Sequence, residues 1–296
     1  MKRLLIYLLP LLALSVGSCR SSEPFDNITR AATPQAFNYV TAAGGARVAS
    51  SVCDDVSYYI VFDDENRTAN ITISNLRTPA NDQPMTLTFM DCDMSYTSNN
   101  HSKERIVKAD VLVSNAPAGS GEGVAITDAT FIYTESNDLD PNGIDGIYAR
   151  FTIDGTYTVT AYPYHVFADG TTRIDNLTSG TTAIDYDPVY TLDLDPDAMT
   201  ATLKVYGLDL GSGEDIGAMT ISRLKLKLTD GGYGLASDAS TVMTLSQYSG
   251  DPHQQITLES LTATAELRDE LRITMRLTAG DTSFTIAAFL GSNLSK

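Results

Sequence analysis

The chain is written in alternation. Leu192 and Leu194 are set off by Thr191 and Asp193, and Ala201, Leu203 and Val205 by Thr202 and Lys204. Leu224, Leu226 and Leu228 alternate with Arg223, Lys225 and Lys227. A period of two with polar residues on one side is the signature of a half-buried strand; a helix would repeat every 3.6 residues. Between two of these runs stands Asp195-Pro196-Asp197. Proline presets φ there and aspartate can bond its own backbone, which is turn chemistry. No convincing amphipathic helix interrupts the pattern.

The alternation is also written twice. Residues 38–50, NYVTAAGGARVAS, match 164–176, YHVFADGTTRIDN, and residues 58–76 match 190–208, with Tyr58/Tyr190, Asp63/Asp195, Thr68/Thr200, Ala69/Ala201 and Leu76/Leu208 identical. Met85-Thr86-Leu87 meets Met219-Thr220-Ile221, Ile126-Thr127 meets Ile256-Thr257, and Arg150-Phe151-Thr152 meets Arg276-Leu277-Thr278. Collinear matches of this kind mark a tandem duplication. On this alignment Met90, Cys92 and Met94 fall on Leu224, Leu226 and Leu228, so Cys92 takes the buried place of Leu226. The expected fold is all-β: two tandem antiparallel meander domains, over 37–162 and 163–291, with 292–296 as a tail. Eight or nine strands per copy manage their edges best by closing into a small β-barrel, and a β-sandwich is the alternative.

The N-terminus changes where such a protein belongs. Lys2 and Arg3 precede the apolar run Leu4 to Val16, which is too short to span a membrane as a helix. Val16-Gly17-Ser18-Cys19 closes it and resembles the lipobox of bacterial lipoproteins, which implies a signal peptide over 1–18 and lipidation of Cys19. Residues 19–36, rich in Ser, Thr and Pro, read as a lipid-anchored tether with a reach of about 20–25 Å. Together with the strand, Asp-containing turn and Thr-Ala-x-Ile/Leu strand, the lipobox gives a chain that resembles the calycin-like and other β-barrel cell-envelope lipoproteins of Bacteroidota-type gut bacteria. The resemblance implies a barrel fold and an outer-membrane lipoprotein, periplasmic or surface-facing, and brings no catalytic residues with it.

Charge narrows the partners. The formal net charge is −17 with a pI of about 4.4. Removal of Lys2 and Arg3 with the leader leaves 18 Lys and Arg against 37 Asp and Glu. A surface this acidic repels phosphate backbones, so no nucleic acid is expected; the membrane is met through the lipid anchor.

Few residues suggest chemistry. In ESNDLDPNGIDG, residues 135–146, Asp138, Asp140, Asn142 and Asp145 could offer oxygens to Ca2+. The position that should carry a closing Glu is Ala149, and Asp193-Leu194-Asp195-Pro196 repeats the DLDP at a plain hairpin, so a turn is the better reading. No cofactor is expected. Cys53 and Cys92 form an even pair that could close a disulfide in an oxidising compartment, although Cys92 also reads as a core residue. Two GSGE segments, Gly119 to Glu122 and Gly211 to Glu214, lack the helix that a phosphate loop needs. His101, His165 and His253 are scattered, with no metal-ligand spacing. Tyr157, Tyr162 and Tyr164 cluster at the end of the first copy, read as sheet packing before sugar stacking.

The expected protein is therefore not an enzyme. It is a cell-envelope lipoprotein with a binding role, either for a small apolar ligand in a barrel lumen or, alternatively, as a structural, scaffold or adhesion module contacting envelope proteins or glycans. The lumen reading requires inward residues small enough to leave a cavity.

Overall fold

A computed structural model describes residues 29–42, 51–79, 81–98, 103–109, 112–113, 124–135, 145–213, 215–229, 231–246, 256–266 and 270–290. Among them every regular element is a strand. The first repeat contains β1 (Thr29–Ala32), β2 (Ala36–Ala42), β3 (Ser51–Cys53), β4 (Ser57–Asp63), β5 (Thr68–Thr78) and β6 (Asn81–Ser98). It continues with β7 (Lys103–Ala109), β8 (Leu112–Val113), β9 (Val124–Thr134), β10 (Gly146–Ile153) and β11 (Tyr157–Pro163). The second contains β12 (His165–Asn176), β13 (Thr181–Asp185), β14 (Val189–Asp195), β15 (Thr200–Tyr206) and β16 (Ala218–Leu228). It ends with β17 (Gly232–Ala236), β18 (Val242–Ser246), β19 (Ile256–Glu266), β20 (Glu270–Ala279) and β21 (Thr282–Leu290).

The second repeat is a closed antiparallel barrel of eight strands, β12-β14-β15-β16-β17-β19-β20-β21, with β21 returning to β12; β13 and β18 pair from outside the ring. Closure depends on β12 changing partner in mid-strand. His165–Asp169 pair with β14, and Gly170–Asn176 pair with β21. At the change stands Gly170, where an added Cβ would lie 2.5 Å from the Phe289 carbonyl oxygen, so only glycine lets the two strands approach.

The first repeat has the same plan with one strand broken. Thr29–Ala32 pair with β4 as His165–Asp169 pair with β14, and Ala36–Ala42 pair with β11 as the end of β12 pairs with β21. Between the halves lies Thr33-Pro34-Gln35, where proline has no N–H to give to a ladder. Two expectations shift as a result. Thr29–Ala32, expected within the tether, is sheet, and the first repeat begins near residue 29. The match of 38–50 with 164–176 is also out of step: Asn38 lies opposite Ala161 and Ile174 opposite Ile286, equivalent places in the two ladders.

The duplication extends to three backbone irregularities. Arg67, Asn75 and Asp91 have φ of 54°, 65° and 54°, and 132 residues later Met199, Gly207 and Arg223 have 50°, 71° and 60°. Asp91 and Arg223 sit in β-bulges, each opposite a register shift in β5 or β15. The bulge corrects the expected alternation in β6. Cys92 opposes Ala69 as Leu224 opposes Ala201, so Cys92 stands in the place of Leu224 and not of Leu226. Met90, expected inward, is 55% exposed, while Phe89 and Cys92 are buried. Met90→Asp is therefore expected to move the urea midpoint by no more than about 0.5 kcal/mol equivalent, whereas an inward Met90 would cost several times that.

Among the described residues both interiors hold packed apolar side chains. In the first barrel Phe89 lies 5.0 Å from Phe131 and 5.9 Å from Phe151 between ring centroids, and Phe62 lies 5.0 Å from Tyr133. Leu192, Leu203, Ile221, Leu224, Met275, Leu277 and Ile286 are all buried in one cluster in the second.

The barrels also pack on each other. Phe37, Ile132, Tyr148 and Tyr162 point out of the first barrel, yet all are buried and belong to the apolar cluster of the second. Tyr162 reaches the β16–β17 turn, where its hydroxyl shares its one proton between the carbonyl oxygens of Thr229 (2.5 Å) and Gly232 (2.8 Å). Its ring meets Tyr233 edge-on at 5.8 Å. Tyr164 donates to the Asp54 carbonyl at 2.9 Å and so ties the connection between the barrels to the first of them.

Candidate functional site

Each barrel contains a buried polar pair built on the equivalent tyrosine, with a different partner. Tyr58 donates to Asn38 Oδ1 at 2.5 Å, and the Tyr190 hydroxyl lies 2.8 Å from Thr172 Oγ1. Both pairs join the strand that begins the repeat to β4 or β14, where the ring closes. Asn38 is fully buried and its Nδ2 has no hydrogen-bond partner. Burial raises the hydroxyl of Tyr58 above the usual range, and burial pushes that of Tyr190 up to about 12, against a smaller lowering by Thr172. The folded value of Tyr190 lies above the unfolded 10.0, so the stability it contributes is complete below that pH and is lost on rising to about 12. Tyr190→Phe is expected to flatten that alkaline fall in a series of denaturation midpoints.

His165 is placed by β12 opposite Asp193 on β14. Its Nδ1 is 2.6 Å from Asp193 Oδ1, and Lys204 Nζ is 3.3 Å from the other oxygen. The hydrogen bond from His165 is the main reason the Asp193 carboxyl is held below its usual range. A carboxylate-oriented imidazole can serve as a base only where substrate reaches the ring. The His165 side chain is 4% exposed, so the arrangement is a structural clasp.

The other expected sites separate cleanly. Cys53 and Cys92 are both buried thiols and no disulfide joins them: Cys53 Sγ contacts the Arg77 carbonyl at 3.6 Å and Cys92 Sγ the Met90 carbonyl at 3.7 Å. Burial pushes the Cys92 thiol up to about 11, an inert value. Asp138, Asp140 and Asn142 lie outside the described residues, as do Cys19, His101, His253 and the first GSGE segment. Asp145 is described and accepts a hydrogen bond from Tyr133 at 2.6 Å. Among the described residues no group of three or more His, Cys, Asp or Glu is placed to hold a metal ion. The amides of the second GSGE loop already hold an anion, the chain's own: Gly211, Ser212 and Gly213 donate to the Asp209 carboxylate at 2.8–3.2 Å. Tyr162 and Tyr164 serve the contact between barrels, and Tyr157 packs against the first core.

What remains is a corner that no motif announced. Among the described residues β13 pairs with β12 alone, leaving its second edge open. Ile184 is 45% exposed and Tyr186 73%, and Phe289, on the far side of β12, is 47% exposed. Carboxylates surround this edge. Asp185 accepts from the amides of Asp187 (3.1 Å) and Asp209 (3.0 Å), the backbone of Asp209 pairs with that of Asp215, and Asp175 accepts from Thr182 at 2.6 Å. The Arg173 guanidinium lies on Asp175 at 3.0 Å and, with Thr182, holds that carboxyl below its usual range.

No family model matches the chain, and no curated protein matches it in sequence. Among solved structures, the chain is similar to a vaccine-antigen double mutant of Transferrin Binding Protein B from Haemophilus parasuis Hp5, at 7% identity over 88% of this chain and 75% of that one, with a TM-score of 0.23. It is likewise similar to isotype 1 Transferrin Binding Protein B from serogroup B Neisseria meningitidis, at 9% identity over 89% and 77%, with a TM-score of 0.25. Scores this low carry no argument about what the chain does.

Proposed function

We propose that the chain is a cell-envelope lipoprotein, anchored through lipid on Cys19, whose two barrels form a non-catalytic module that engages its partner on the outer surface. The observation that carries the outer-surface reading is the packing of both interiors. The rings of Phe89, Phe131 and Phe151 fill one barrel, and Leu, Ile and Met side chains fill the other. A ligand in the lumen would have to displace side chains whose loss costs about 2–5 kcal/mol each. The apolar ligand therefore gives way to the alternative of a protein or glycan contact. The leader and lipobox support the anchor, the buried His165 ring supports a role without catalysis, and the net charge of −17 supports a partner other than nucleic acid.

Two readouts on one preparation test this. Cells given alkyne-palmitate should label the full chain and not Cys19→Ser, and the purified protein should leave cis-parinaric acid fluorescence unchanged. Labelling that survives Cys19→Ser would remove the anchor. A saturable, one-to-one rise in parinarate emission would restore the lumen.

A further inference from the structure

We propose that the open edge of β13 takes an extended basic segment of a partner protein as an added strand. The inference rests on the outer-surface reading above and names the surface and the chemistry of the partner. Exposed strand edges are commonly guarded by lysine, proline or a bulge, because unpaired N–H and C=O groups template pairing with another chain. Thr181-Thr182-Ala183-Ile184 carries none of these. Ile184 stands exposed on β13, and Tyr186, in the bend just after the strand, adds a second exposed apolar side chain beside the edge.

Charge selects the occupant. β13 carries Asp185, whose carboxylate accepts from the amides of Asp187 and Asp209, and on neighbouring β12 the guanidinium of Arg173 is already taken by Asp175. The first barrel shows what this corner accepts. Arg77 comes two residues after Asn75, which has a positive φ, and Asp209 comes two residues after its counterpart Gly207. In the first barrel Arg77 Nη1 closes onto Asp55 at 2.6 Å, securing the β3–β4 connection to the end of β5. In the second barrel a carboxylate stands in the place of that guanidinium, and its amide bonds Asp185. Among the described residues no cation takes the place that Arg77 holds in the first barrel. A segment alternating arginine or lysine with apolar residues provides both the cation and the side chains that Ile184 and Tyr186 can cover. A second copy of this chain fits poorly, because its β13 brings another Asp185 to the edge and no cation.

Three fluorescent dodecapeptides test this with the full chain, by anisotropy at physiological salt: alternating Arg and Val, alternating Glu and Val, and alternating Arg and Pro. The last has the same charge as the first but cannot form a strand. The Arg-Val peptide should bind at least about tenfold tighter than either of the others. Ile184→Lys, at an exposed position and with an unchanged melting temperature, should abolish that advantage. Equal binding of the Arg-Val and Arg-Pro peptides, or affinity indifferent to Ile184→Lys, would overturn the proposal. So would sedimentation showing that the chain covers this edge with a second copy. Any of these failures would leave the palmitate and parinarate results standing, so the surface and the broader reading are tested separately.

Discussion

Changing Tyr162 to Ala is expected to split one unfolding transition into two. Tyr162 is 1% exposed although it points away from its own barrel, because the second barrel covers it. Its ring packs on Phe37 at 5.7 Å and on Tyr233 at 5.8 Å, and its hydroxyl serves two carbonyls at the β16–β17 turn. Loss of a buried aromatic side chain costs about 3–5 kcal/mol, and here the whole loss falls on the contact that couples the barrels. Calorimetry of the parent should show one cooperative peak and that of Tyr162→Ala two. Tyr162→Phe, which keeps the ring and loses the hydroxyl, should keep a single peak at a cost of about 1–2 kcal/mol. A single peak in Tyr162→Ala, hardly moved, would mean that the barrels are coupled by other groups.

Tyr58→Phe carries the second large effect. Asn38 is fully buried with one amide group already unpartnered, and Tyr58 is the donor to its oxygen. Removing the phenol leaves the whole carboxamide unsatisfied in an apolar interior, which should cost about 1–3 kcal/mol. The duplication supplies the remedy, because Asn38 stands where the second barrel has Ile174. Adding Asn38→Ile to Tyr58→Phe should recover the loss and exceed the parent in a urea titration. If Tyr58→Phe is neutral by itself, the pair does not hold the seam. If the double variant is the least stable of the set, the site requires a polar group.

The strands were legible because alternation reports burial directly. Leu224, Leu226 and Leu228 are buried and Lys225 and Lys227 exposed, as the period of two requires. The duplication was legible for the same reason over 58–76 and 190–208. Misreading began where the backbone departs from period two. Asp91 and Arg223 adopt positive φ without being glycine, and nothing in their side chains announces a bulge, so Met90 was placed on the wrong face. The first strand was misaligned because its counterpart is a continuous β12, whereas Pro34 divides it into β1 and β2 and moves the start of the repeat upstream. Tyr162 and Tyr164 were rightly read as packing residues, but no local pattern could say that they pack between barrels. The β13 corner is invisible in sequence because TTAID is an ordinary strand sequence; its interest lies in the edge left unpaired among the described residues.

The face that joins the barrels is not repeated on the second of them. On the first barrel that face is Phe37 beside Tyr162 and Tyr148 beside Ile132. The same rungs on the second barrel are Arg173 beside Ala287 and Thr274 beside Thr262, with Arg173, Thr274 and Thr262 exposed. A third barrel arriving by another duplication would find a charge and hydroxyls where the second found rings. The second barrel thus shows water the polar outer face that a capping repeat needs. Aromatic rings placed at Arg173 and Thr274 would instead give it an apolar patch of its own, and self-association should follow in sedimentation.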